Sequence, residues 1–468
     1  MKTIFITLSR GFLARNILQT KIYSLLKESR CHLVIATPAW KDPDFLREFG
    51  APNVEFIPME TPEWTKLDKI FMGLNHNLIW NRTIRFTAMY GIYDPDKVKP
   101  WRLWVQLWFW RPLACLPFLR KLSRWFDNRL CPPSSFVSEQ IKKYNPDLVF
   151  LTNPMEHWDS FYIKAAKAQG VPTVGLVKSW DNMSKTSFRI LTDYMLVWGP
   201  YMKEEAIKYQ MHSEKEIFEI GVPQFDIYLD RMEGRSRKEM LGAAHLDPAR
   251  KTILFGSEGK VTPNDPEIVE GILDMINRQE LVLSAQVWVR PHFGYKNDDR
   301  KFDSVAGRVH AYIDRENTPR LAFYDQWDYS RPQYLRLADT LHACDVMVTT
   351  ASTLAIDAAA CGKPSIVIAF DGKERLPHRQ SVARWYETEY YSNVLATGAV
   401  TIVRNFAELR AALNAALENP QIRAAERENL VHRFSGVLDG HASERVVDFL
   451  LSIAETGKPP NQTTYERS

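Results

Sequence analysis

Short apolar runs alternate along this chain with longer stretches of helical period. Residues 3–8, 31–36 and 54–58 have the length and β-branched content of single buried strands, and a helical pattern over 16–28 separates the first two. The alternation lapses over about 62–126, where aromatics are many and strand signals few, which predicts a helical insertion or cover. It returns with strands at 146–151, 173–177, 194–198 and 217–222, and with helices at 159–169 and 203–209. The polar stretch 231–250 reads as a linker and first helix of a second unit. The rhythm then restarts with strands at 251–255, 281–290, 345–349, 365–369 and 401–403. Helices are predicted at 266–277, from about 353 to 361, and from 406 onward. Such alternation favours parallel sheets with crossover helices, so the fold class is α/β in two lobes. The lobes are placed at 1–230 and 231–445, with 446–468 a helix end and a tail frayed from 457.

Composition changes this picture little. A length of 468 residues suits two cores rather than one, and 45% hydrophobic with 25% charged residues is ordinary for a globular chain. A net charge of +4 does not call for nucleic acid and permits acidic small molecules or an anionic membrane surface. Five scattered cysteines make neither a disulfide framework nor a zinc knuckle, which points to a reducing cytoplasm. The short charged opening reads as a first strand rather than a signal peptide, and no apolar run reaches the ~18 residues of a membrane span.

Chemistry gathers at strand ends. The clearest segment is Thr349-Thr350-Ala351-Ser352-Thr353 running to Asp357, where a β-branched strand gives way to hydroxyl residues that open a helix. Backbone donors there, with the hydroxyls of Thr350, Ser352 and Thr353, suit an anion. Simple capping by Ser352 or Thr353 is the plain alternative, and Asp357 either orders the turn or faces a ligand hydroxyl. Gly256-Ser257-Glu258-Gly259-Lys260 permits close backbone approach, with Ser257 and Lys260 able to meet an anion, but its spacing is not that of a phosphate-binding loop. At the end of the 281–290 strand, Arg290 offers a planar fork and His292 a donor or proton-transfer group. In the first lobe, Asp181 or His157 is suited to deprotonate a hydroxyl, Trp180 to stack on a sugar, and Asn182 either to close its loop or to touch ligand. Lys185 belongs to the same loop. Ser9, Arg10, Gly11, Arg15 and Asn16 mark the first strand–helix junction. The dinucleotide Gly-x-Gly-x-x-Gly, a Gly-x-Ser-x-Gly elbow and any metal-ligand spacing are all missing, which disfavours nicotinamide enzymes, serine hydrolases and a metal centre.

Trp101, Trp104, Trp108 and Trp110 crowd a segment that continues through Phe118, Arg120, Lys121, Arg124, Trp125 and Phe126, with no acid between 101 and 126. Such a belt fits a membrane interface, a pocket for a lipid-linked acceptor, or the buried side of helices packed on the first lobe.

The chain resembles the GT-B superfamily of nucleotide-sugar-dependent glycosyltransferases, and within it surface-polysaccharide enzymes and the CDP-glycerol glycerophosphotransferases. The resemblance rests on Val289-Arg290-Pro291-His292, Ala338-Asp339 through Asp345, Thr349–Thr353 with Asp357-Ala358, Gly362-Lys363-Pro364, Ser179-Trp180-Asp181-Asn182, Trp198-Gly199-Pro200 and Gly221-Val222-Pro223. It implies two facing Rossmann-like lobes, with residues 350–353 holding a donor diphosphate and Arg290 and His292 assisting at phosphate or nucleobase. Ser257, Glu258 and Lys260 would line the same crevice, with Glu258 joining Asp181 and His157 as a candidate acid or base. The last helices would cross back to the first lobe from about 439–445. The implied reaction is metal-independent sugar transfer from a nucleotide-diphosphate co-substrate, with no bound cofactor, to a glycan or lipid-linked hydroxyl. It would take place in the cytoplasm or on the inner face of the membrane. The alternatives are glycerol-phosphate transfer from a CDP-activated donor, a nucleotide-sugar 2-epimerase, and a non-catalytic glycan-binding protein.

Overall fold

The computed structural model describes residues 1–59, 63–92, 95–230 and 232–460. The expected first residue of the insertion, 62, the residue opening the second lobe, 231, and the tail beyond 460 lie outside them.

Two separate, wholly parallel sheets form. The first contains β1 (Thr3–Thr7), β2 (His32–Thr37), β3 (Val54–Pro58), β4 (Leu148–Leu151), β5 (Thr173–Leu176), β6 (Tyr194–Val197) and β7 (Ile217–Glu219) in the order β3-β2-β1-β4-β5-β6-β7. The second contains β8 (Lys251–Gly256), β9 (Ala285–Arg290), β10 (Ala311–Ile313), β11 (Val346–Thr349), β12 (Ser365–Ile368) and β13 (Val400–Val403) in the order β10-β9-β8-β11-β12-β13. Strands such as β4, β11 and β12 are buried at every position, because helices cover both faces of each sheet. Strand order reverses between β1 and β4 in one sheet and between β8 and β11 in the other. The crevice beyond the carboxyl ends of those strands is where such sheets bind ligands.

The expected helix over 16–28 is two helices, Gly11–Leu18 and Lys21–Glu28. Thr20 is extended between them and turns its hydroxyl back to the Ile17 carbonyl, while Gln19 reaches the Tyr329 carbonyl of the second lobe at 2.9 Å. The strand expected over 281–290 begins only at Ala285. The last helix, Ala442–Thr456, lies against the first lobe, where Val446, Phe449, Leu450 and Ile453 share a core with Ile4, Ile6 and Leu33. Asp226 accepts the backbone N–H groups of Ala442 and Ser443 at 3.1 and 2.8 Å and so fixes the start of this returning helix. Residues 442–445 therefore belong to the returning helix and not to the second lobe.

The aromatic segment is helical, and its longest helix, Pro117–Leu130, is amphipathic in reverse. Arg120, Ser123, Arg124 and Asp127, spaced as one helical face, are buried, whereas Phe118, Leu122, Trp125, Phe126 and Leu130 are exposed. The charges on the buried polar face find partners in the first lobe, while Ser123 Oγ and Arg120 Nε make no hydrogen bond among the described residues. Arg124 donates to the Phe188 and Gln210 carbonyls at 2.9 and 2.7 Å. Asp127 accepts both Nε and Nη2 of Arg189 at 2.7 Å and Lys164 Nζ at 2.6 Å, and Arg189 also reaches Asp68 of the helix Lys66–Asn77. Removing one partner of a buried charge network leaves the others uncompensated. Asp127→Ala is therefore expected to destabilise the chain by about 3–5 kcal/mol, read as a lower denaturant midpoint; a midpoint equal to wild type contradicts this anchoring role.

Candidate active site between the lobes

The carboxyl ends of the two sheets enclose a cavity of about 610 Å³. Its first-lobe wall comes from the helix after β1 and from the loop after β5, through Phe12, Arg15, Lys178, Asp181 and Lys185. Its second-lobe wall comes from the loops after β8, β9 and β11, through Glu258, Arg290, His292, Thr350, Ser352 and Asp357. Residues distant in sequence meet here because each follows a strand at the reversal of strand order or one strand away from it.

How the lobes face one another is set locally. Asp325 of the second lobe accepts the backbone N–H groups of Gly11 and Phe12 at 2.9 and 3.3 Å, at the positive end of the helix Gly11–Leu18. A Cβ at position 11 would stand 2.9 Å from the Trp327 carbonyl, so only glycine admits this approach. Gly11 thus serves lobe docking and is not part of the cavity wall. Arg10 is likewise committed elsewhere, paired with Glu156 at 3.5 Å and lying between the rings of Trp158 and Tyr324.

Arg290 is buried, with its guanidinium over Phe293 at 4.6 Å and, among the described residues, a single ion pair, Nη1 to Asp314 at 3.6 Å. Asp314 is already gripped by Arg336 at 2.9 and 3.1 Å, and Arg290 Nη1 makes no hydrogen bond. Burial lowers Arg290 to about 10, so it remains a cation at neutral pH and an under-partnered one. Beside it, His292 Nδ1 accepts the Gly294 N–H at 3.2 Å, which leaves the proton of the neutral ring on Nε2. Burial holds this histidine down to about 4, so it is an uncharged donor.

The hydroxyl segment after β11 does two jobs. Ser352 Oγ accepts the Leu354 N–H at 3.1 Å, and Ser352 favours the charged form of Glu258. Thr353 Oγ1 accepts the Trp180 indole N–H at 3.2 Å across the lobes. Thr350 gives its carbonyl to Tyr391 at 3.3 Å. Asp357 accepts the Tyr228 hydroxyl at 2.5 Å, and burial raises it to about 6 against the pull of Arg15 and Arg290. Glu258 is raised by burial to about 7. Burial also acts to raise Asp181, but Lys185, hydrogen-bonded to it, and Lys178 hold it below its ordinary value as a fixed anion.

Several expected residues are placed differently. His157 is exposed at the start of the helix His157–Ala168, edge-on to Trp64, and is not in the cavity wall. Trp180 is 1% exposed, packed among Tyr201, Tyr390, Tyr391 and Phe434, so its ring faces have no room for a sugar. Asn182 is buried behind the wall, donating to Asp181 at 3.0 Å. Lys260 holds its ammonium over Tyr295, outside the cavity wall. Ser257 touches the cavity, but its hydroxyl is spent on Asp298 at 3.0 Å and Lys301 at 2.8 Å. Lys301 also binds Asp265 at 3.0 Å and the Gly259 carbonyl at 2.9 Å, so it organises the loop after β8. Asp298 and Lys301 lie in a short polar stretch with no periodic pattern, and only their spacing of three, one helical turn, hinted that they act together. Among the described residues, no group of three or more His, Cys, Asp or Glu side chains is placed to hold a metal ion.

Known structures share this fold. The UDP-GlcNAc 2-epimerase from Neisseria meningitidis bound to UDP-GlcNAc aligns with a TM-score of 0.56 at 11% identity, over 97% of this chain and 100% of that one. The UDP-GlcNAc 2-epimerase from Methanocaldococcus jannaschii aligns at 0.53 and 13% identity, over 96% and 99%. The wall teichoic acid polymerase TagF aligns at 0.51 and 12% identity, over 97% and 89%. At such identities the likeness establishes the fold, which is GT-B-like: two facing Rossmann-like lobes joined by a returning C-terminal helix. No curated protein matches the sequence. The family model described as CDP-glycerol:poly(glycerophosphate) glycerophosphotransferase matches residues 176–452, more than half the chain, from the end of β5 through the whole second lobe and into the returning helix. The chain therefore belongs to the CDP-glycerol:poly(glycerophosphate) glycerophosphotransferase family.

Proposed function

We propose that the chain is a phosphotransferase that moves a polyol-phosphate unit of the glycerol-phosphate class from a cytidine-diphosphate-activated donor to a hydroxyl of a surface-polymer acceptor. One observation carries this reading: Arg290, a buried and under-partnered cation, lies in the cavity wall within the stretch that matches the glycerophosphotransferase family. The donor is a co-substrate rather than a resident cofactor. Its diphosphate takes Arg290, the Nε2–H of neutral His292 and the donors of residues 350–353, which stabilise the charge that builds on phosphate oxygens.

The acceptor oxygen attacks the β-phosphorus and forms the new P–O bond. The bond from that phosphorus to the bridging oxygen breaks, and cytidine monophosphate leaves with the bridging oxygen. Glu258 takes the hydroxyl proton, because a carboxylate near 7 is matched to neutral pH, whereas Asp181 is held as an anion by two lysines. Sugar transfer, the sequence-based expectation, differs in the bond broken: cleavage at the anomeric carbon releases a nucleoside diphosphate.

The nucleotide product therefore decides between the two. Incubation of the full chain with a membrane extract and either CDP-glycerol or a panel of nucleotide sugars is expected to release CMP from CDP-glycerol. Release of a nucleoside diphosphate from a nucleotide sugar alone overturns the proposal. Activity is expected to rise as pH increases through about 7, since the working form of Glu258 is deprotonated. E258Q should lower kcat by about 100-fold or more and flatten that limb, whereas D181N should keep the inflection; an unchanged profile in E258Q removes Glu258 as the base.

We also propose that the reversed helix and the Trp-rich helical segment before it, residues 101–114, work at the cytoplasmic face of the membrane, where a lipid-linked polymer acceptor would be met. Trp108 is 74% exposed and Trp104 61%, stacked on each other, and Phe109, Phe118 and Trp125 are exposed beside Arg102, Arg111, Lys121 and Arg129. Exposed tryptophan and arginine together suit the lipid interface. Among the described residues no helix is long and apolar enough to cross a membrane. Flotation with vesicles containing anionic lipid is expected to carry the wild-type chain and to leave the W104S/W108S/W125S variant at the bottom; equal flotation of both contradicts this surface.

A further inference from the structure

The first lobe holds a second arginine that the geometry above does not use. Arg15 lies in the second turn of the helix after β1, at the strand-order reversal of the first sheet, and lines the same cavity as Arg290. Its Nε and Nη2 both donate to one neutral acceptor, Asn16 Oδ1, at 3.1 and 3.0 Å. Among the described residues no carboxylate stands within ion-pair distance of it. Other arginines at or near the interlobe face are paired: Arg10 with Glu156, Arg320 with Asp328 and Arg336 with Asp314 and Glu316. A guanidinium has five N–H donors, so most of the Arg15 fork is uncommitted.

Its plane is held from the opposite lobe. The Trp327 ring lies 5.1 Å from the Arg15 guanidinium and meets Phe12 edge-on, and the Asp325 contact to Gly11 fixes that loop. Asp357, the carboxylate that acts on it most strongly, is engaged by the Tyr228 hydroxyl and lies within the field of both Arg15 and Arg290. Two cations thus face one cavity from opposite sides, with one shared and partly neutralised acid. Such an arrangement is relieved by a multivalent anion placed between them.

We propose that Arg15 is a second ligand of the donor diphosphate, supplied by the first lobe, so that the bound nucleotide is gripped from both lobes at once. This rests on the donor-site reading above and adds to it that the anion bridges the cleft. Binding energy from the diphosphate then holds the lobes closed around the acceptor, and a nucleoside without phosphate does not engage the first-lobe wall in this way.

The test is calorimetric titration of the full chain and its R15Q, R15K and R290Q variants with cytidine diphosphate and with cytidine. R15Q is expected to weaken cytidine diphosphate by about tenfold or more, the loss of hydrogen bonds to a charged group, without weakening cytidine. R15K, which keeps the charge and loses the fork, should fall between R15Q and wild type. If R290Q weakens cytidine diphosphate while R15Q binds it as wild type does, the bridging inference is overturned and the donor-site reading stands. If neither variant weakens it, the donor-site reading itself falls. Should R15Q fail to fold, R15K indistinguishable from wild type overturns the inference.

Discussion

The carboxylate of Asp325, with which one lobe accepts the open N–H groups at the helix start of the other, is the contact on which the site depends. It satisfies the Gly11 and Phe12 N–H groups that the first helix leaves open, and it does so in trans. Around it, Gln19 reaches the Tyr329 carbonyl and Arg331 the Gln19 carbonyl at 2.6 Å, so the opening of the first helix pair is stitched to the loop before the helix Arg331–Ala343. That stitching sets the width of the cleft. It brings Trp327 under Arg15 and places the loop after β5 opposite the loops after β8 and β11. Without a side chain at position 11 the two backbones approach as closely as they do; with one, the cleft would have to open.

A second constraint operates on the far side of the first lobe. A helix normally hides its apolar face and shows its polar one, and Pro117–Leu130 does the opposite. The buried charges on it are tolerable because Arg189, Lys164 and main-chain carbonyls compensate them one by one. Arg189 stays above its ordinary value although burial acts to lower it, because Asp127 and Asp68 stabilise the cation. The consequence is an aromatic surface left outward, outside the stretch that matches the family model. The aromatic cover lies outside the stretch that matches the family, yet it is anchored on Phe188, Arg189 and Gln210 within that stretch.

Much of the architecture was legible from the hydrophobic pattern, because buried parallel strands are short apolar runs and helices separate them. The restart near residue 250 and the strand-end loops at 256–260, 290–292 and 349–357 stood out for that reason. What failed was local or non-local in identifiable ways. The helix break at Gln19 and Thr20 depends on partners in the second lobe, and β10 is three residues long, too short for a pattern. His157 and Trp180 had suitable chemistry but the wrong surroundings: one faces outward, and the other is walled in by four aromatic rings. Arg15 marks the first strand–helix junction in the sequence, and its importance lies in having no carboxylate within ion-pair distance among the described residues, which no sequence displays. The reversed helix is encoded in the spacing of Arg120, Ser123, Arg124 and Asp127, which form one helical face; the density of aromatics on the other face masks that pattern.

The central claim is that the cavity between the lobes is a diphosphate site built on Arg290. A crystal structure of the chain with cytidine diphosphate bound tests it most directly. The account predicts phosphate oxygens within hydrogen-bond distance of Arg290 Nη1, inside the cavity walled by Glu258, His292 and Ser352. A diphosphate seated elsewhere, with Arg290 Nη1 still without a hydrogen-bond partner, would contradict it.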